Sequence, residues 1–227
     1  MRNRMKQKLA ALFLLLGISL TANAQFGGLL GGSKASGGAG ADPAAIEKFT
    51  ADAALINKAI SYAALQIVAA LGDKDKLAIV KESLEKMKSS DPKDQNAVMG
   101  TVFKTDLAAS IDLLKSKEGK ERMEKLSPDM QKKVAKSIFA VGVAAFRLKP
   151  MLDNGQKALQ SMGSNPAMLS KIGLVKDSLS LLGNAAPKVP DLVTAGLALM
   201  KEVKVDPGNP TADSVLTADA DVTIPES

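Results

Sequence analysis

An all-α fold, a single-domain helical bundle of about six helices, is what this sequence predicts, and three observations predict it. Apolar residues recur at alternating steps of three and four along most of the chain, the period of one helix face. A side-chain oxygen followed by proline marks four helix starts, at Asp42-Pro43, Asp91-Pro92, Ser127-Pro128 and Asn165-Pro166. The stretch closest to a strand in composition, Val215 to Ile224, has no partner strand elsewhere. The expected organisation is a signal peptide (1–24), a flexible Gly-rich leader (25–41), the helical bundle domain (42–205) and a disordered acidic tail (206–227).

The chain opens with Arg2, Arg4, Lys6 and Lys8, an apolar run from Leu9 to Leu20, and Thr21-Ala22-Asn23-Ala24. That is the pattern of a Sec-type signal peptide cleaved after Ala24, because the apolar run falls short of the roughly 20 residues that cross a bilayer. A periplasmic or secreted protein is therefore expected. Cysteine is absent, so neither disulfides nor lipidation at cysteine are open to the chain. No glycosylation acceptor occurs either, which fits a bacterial envelope.

Removing the signal peptide changes the charge. Four of the 30 basic residues and none of the 24 acids precede Gln25, leaving a mature chain of 26 against 24. Asp206, Asp213, Asp219, Asp221 and Glu226 follow Val205 without a single Lys or Arg, so a mildly basic body carries an acidic tail. Such a body can meet an anionic surface with the tail competing for it. Nucleic acid is not an expected partner, since no basic-aromatic binding motif accompanies the charge.

In the leader, glycine costs too much backbone entropy to order, so the stretch is expected to be a flexible spacer, the alternative being that Phe26, Leu29 and Leu30 act as a docking leader that enters a groove or makes peripheral membrane contact. The first helix, Asp42 to Leu71, carries Ile46, Phe49, Ala53, Ile56, Ile60, Ala63, Ile67 and Ala70 as a continuous seam and is the expected spine. Gly72-Asp73 ends it and caps a second helix striped by Leu77, Val80, Leu84 and Met87. A third, Pro92 to about Lys115, turns Val98, Val102, Phe103, Leu107, Ile111 and Leu114 inward. Lys115 to Lys125 reads as a solvated turn and a short exposed helix. The fourth starts at Pro128 with Met130, Val134, Ile138, Val141, Ala145 and Leu148, and is expected to kink at Pro150 and continue to Met162. A fifth runs from Pro166 to about Gly183. After the stiff Ala185–Pro190 connector, a sixth runs from Asp191 to about Val203.

Histidine and cysteine are both absent, which removes Ser-His and Cys-His catalysis and the usual zinc sites. Ser83-Leu84-Glu85-Lys86 matches a Ser-x-x-Lys pattern but lacks its companion motifs. The close carboxylate pairs Glu82/Glu85, Glu121/Glu124 and Asp91/Asp94 are interleaved with Lys or Arg, as on a solvated face. No enzyme, cofactor or metal site is expected. The expected function is an exported, non-catalytic protein-interaction or scaffolding module of the cell envelope, its partner another envelope protein. The alternative is a periplasmic carrier of a lipid or other apolar small molecule, suggested by adaptable methionines such as Met87, Met99, Met151 and Met200. Candidate contact residues are Tyr62, the lone phenol, and the cations Arg122, Lys132, Lys133 and Arg147.

Overall fold

The computed structural model describes residues 43–88, 91–162, 169–218 and 221–225. The expected signal peptide, the expected leader with Phe26, Leu29 and Leu30, and the expected Asn165-Pro166 helix start lie outside the described residues. What is described is of the all-α class, with no strand among the described residues.

Helix α1 (Pro43–Leu71) is the spine. Every residue of its expected seam is buried, and from Ala63 to Leu71 the whole circumference is covered. It is also the described helix long and apolar enough to cross a membrane, but 78% of its most apolar window is buried inside the bundle, the setting of a core helix. Its longest partner is α6 (Pro128–Met162); α4 (Asp106–Lys115) and α7 (Leu169–Ala185) cover further faces, and α8 (Val189–Glu202) rests on α4 and α6. Burying side chains such as Ile60, Leu65, Ile67, Phe103 and Leu107 stabilises the fold by about 1.5–3 kcal/mol each relative to exposure.

Local chemistry sets the helix ends. Asp73 accepts the Lys76 N–H at 3.0 Å and starts α2 (Lys74–Met87). Ser127 Oγ accepts the Met130 N–H at 3.3 Å at the start of α6. The expected third helix is divided at Thr105 into α3 (Pro92–Lys104) and α4. Thr105 Oγ1 donates to the Thr101 carbonyl at 3.0 Å, and Thr101 Oγ1 to that of Ala97 at 3.2 Å. Successive hydroxyls bonded back onto the preceding turn bend a helix, which accounts for the division. The short α5 (Lys117–Lys125) is solvated on its charged side, yet Met123 is fully buried and anchors it to the core. Helix α6 continues through Pro150 for 35 residues.

The tail departs from expectation. Residues 203–218 and 221–225 form neither helix nor strand, but they lie on the bundle instead of leaving it. Lys204 takes a left-handed φ of 58°, and the Val205 N–H returns to the Met200 carbonyl at 3.0 Å, closing α8 with a Schellman turn. Gly208, at φ 80°, passes against the Phe139 ring. Pro210 then sits over Gly142, where a Cβ would fall 2.6 Å from its ring. Leu216 is buried to 6% exposure. An acidic, Pro- and Gly-containing composition suggests disorder. Here specific contacts with residues some 65 to 157 positions away hold the segment instead.

Candidate functional site

The described non-helical C-terminal residues, 203–218 and 221–225, form a strap over the bundle that leads into a cleft of about 420 Å³ between α1 and α6. Its helical walls include Ala59, Tyr62 and Ala63 of α1 with Lys136, Phe139 and Ala140 of α6; Thr217, Asp221 and Val222 of the strap complete it. Small side chains at 59, 63 and 140 let another backbone approach closely, as the three-four spacing of α1 dictates.

Gln66 is the central residue. It is 4% exposed, and its amide meets one residue of the strap twice: the Thr223 N–H donates to Oε1 at 2.8 Å, and Nε2 donates to the Thr223 carbonyl at 3.1 Å. One residue presents both main-chain groups to the same side only when its backbone is extended, as in the hydrogen-bonded pair of an antiparallel ladder. A primary amide, which offers donor and acceptor side by side, therefore stands in for a neighbouring strand. Beside it, Lys133 Nζ donates to the Thr223 hydroxyl and lies 3.4 Å from the Asp221 carboxylate.

The candidate residues fall into distinct places. Tyr62 and Lys133 come together in the cleft, where burial pushes the Tyr62 phenol above its ordinary pKa and the nearby Lys88 charge partly offsets that. Arg147 lies farther along α6 and holds the strap: Nη2 donates to the carbonyls of Ser214 at 2.7 Å and Ala212 at 3.5 Å. Its Nε is buried with no hydrogen-bond partner among the described residues. Arg122 is elsewhere, donating at 3.0 Å to the Leu71 carbonyl, where a cation suits the negative end of α1. Lys132 is exposed and lines no part of the cleft. Ser83 is buried, and Lys86 pairs with Glu82, so the Ser-x-x-Lys match is not an assembled pair. Among the described residues, no three acidic side chains gather as a metal site needs.

Gln66 was missed by sequence reasoning, although it is the one polar side chain in the run Ala63 to Leu71. So was Asp106, 6% exposed at the first turn of α4. Burial raises its pKa, while the Thr105 hydroxyl, which shares its proton between the Thr101 carbonyl and Asp106, acts in the opposite sense. A carboxyl whose folded pKa lies above its unfolded value opposes folding once ionised, and the penalty fades as pH falls through the carboxylate range. Asp106→Asn is expected to be more stable than the native chain at pH 7, with the difference shrinking by pH 4. Urea midpoints at the two pH values measure it; equal midpoints at pH 7 would contradict the burial.

The chain matches no protein-family model, no curated protein and no solved structure.

Proposed function

We propose that this chain is an exported, non-catalytic module of the bacterial cell envelope that acts by binding another polypeptide in the α1–α6 cleft. The observation that supports the reading most is the Gln66 amide, sequestered in a helical core yet committed to the main chain of a non-helical segment. A buried amide that reads only main-chain groups is a recognition device for backbone, and it needs no catalytic side chain. The N-terminal sequence supports export, and the absence of His and Cys supports a non-catalytic role.

The carrier reading takes less support from the fold. Met87, Met99, Met123, Met151, Met162 and Met200 pack in the core at 3% exposure or less. Among the described residues, no methionine lines the α1–α6 cleft or a smaller cleft of about 330 Å³ beside Lys149 and Pro190.

A photo-crosslinking residue placed at Lys136, in the producing host, tests the reading. Lys136 is exposed and lines the cleft, whereas Lys81 on α2 is exposed outside it. The expected result is an envelope-fraction protein beginning at Gln25 that crosslinks to a second polypeptide from position 136 and not from 81. A chain retaining Met1 in the cytosol, or crosslinks independent of position, would refute it.

A further inference from the structure

We propose that the α1–α6 cleft is a groove for an extended acidic peptide, and that Asp221-Val222-Thr223 is an intramolecular occupant which a partner's segment of the same chemistry displaces. The inference deepens the binding-module reading and rests on it for the existence of a partner. Three features define what fits. The Gln66 amide demands an extended residue with a main-chain N–H, which proline at that place cannot supply. Lys133 faces both Asp221 and the Thr223 hydroxyl, two residues apart and so on one side of an extended chain. Between them Val222 meets the cleft whose walls include Ala59, Ala63 and Ala140. The pattern is a carboxylate, an aliphatic residue, then a hydroxyl residue.

The occupant is poised for exchange. With the strap in place the cleft still holds about 420 Å³ of space, so Val222 leaves much of its wall without close contacts. Lys133 and Asp221 form a partly exposed ion pair, which contributes little on its own. Tethering, rather than tight packing, supplements the bonds from Gln66 and Lys133: a short linker gives the segment an effective concentration on the order of millimolar. A partner with a bulkier aliphatic residue at the Val222 place overcomes that advantage by filling the space.

The test uses the full chain and a fluorescein-labelled synthetic peptide of residues 217–227. Thr223→Pro in the chain removes the N–H that Gln66 accepts and leaves every helix untouched. The peptide is expected to bind this variant at least ten-fold more tightly than the native chain, by fluorescence anisotropy. Adding Gln66→Ala should abolish the gain, with circular dichroism confirming the helices. If Gln66→Ala impairs folding, charge exchange replaces it: in the Thr223→Pro background, Lys133→Glu should reject the native peptide and accept one carrying Asp221→Lys. Equal binding by the native and Thr223→Pro chains, or binding indifferent to both Gln66 and Lys133, would overturn the groove. Peptide binding without a crosslinked partner in the host would leave the groove standing and remove the envelope-module reading. Crosslinking without peptide binding would do the reverse.

Discussion

Phe49→Ala is expected to cost about 3–5 kcal/mol of folding stability, the range for removing a fully buried aromatic ring. Phe49 is 1% exposed, and its ring tip lies 2.6 Å from where a Cβ on Gly155 would stand. Leu179 of α7 approaches the same point at 2.4 Å. Three helices therefore meet over a glycine chosen for close approach, and the ring fills the space that residue 155 leaves. Once the ring is gone, position 155 has no side chain to move into the void, so the cavity persists and the cost falls high in the range. At about 2–4 °C per kcal/mol for a domain of this size, the midpoint should drop by roughly 10 °C. Thermal unfolding followed by circular dichroism measures it. A loss below about 1 kcal/mol would mean that α1, α6 and α7 do not converge there.

Gly142→Leu should loosen the strap while sparing the helix that carries the change. Pro210 Cγ and Cβ lie 2.6 and 2.9 Å from the position of an added Cβ, and a proline ring has little freedom to yield. Within α6 the exchange of glycine for leucine favours the helix by up to about 1 kcal/mol. The overpacking, about 1–3 kcal/mol, therefore falls on the strap. No Lys or Arg follows Lys204, so tryptic cleavage there releases 205–227 as one fragment. That fragment should appear several-fold faster from Gly142→Leu than from the native chain. An unchanged rate would show that Pro210 does not hold the strap down.

The bundle was legible because its signals are local. The seam of α1, the Asp73 and Ser127 caps and the stripe of α6 each declare themselves within a few residues, and all are found where expected except Ala145, which is only half-buried. The division at Thr105 was not anticipated, since it depends on a hydroxyl choosing the previous turn over solvent. The strap was less legible still. Its composition favours disorder, and what holds it are single contacts to Gly142, Arg147 and Gln66, none of which forms a sequence pattern. Of the candidate contact residues, Tyr62 and Lys133 were named by chemical type, and both line the cleft. Arg122 was visible in the same way but serves a helix end, because a guanidinium suits a carbonyl cluster as well as a ligand.

Amide hydrogen exchange at Thr223, by NMR on the chain from Gln25 onward, tests most directly whether the Gln66 amide holds the C-terminal segment in the α1–α6 cleft. Because Gln66 accepts the Thr223 N–H at 2.8 Å, that amide should exchange at least ten-fold more slowly than in an unstructured peptide, and Gln66→Ala should erase the difference. Exchange at the unstructured rate in the native chain would contradict the occupied cleft and everything inferred from it.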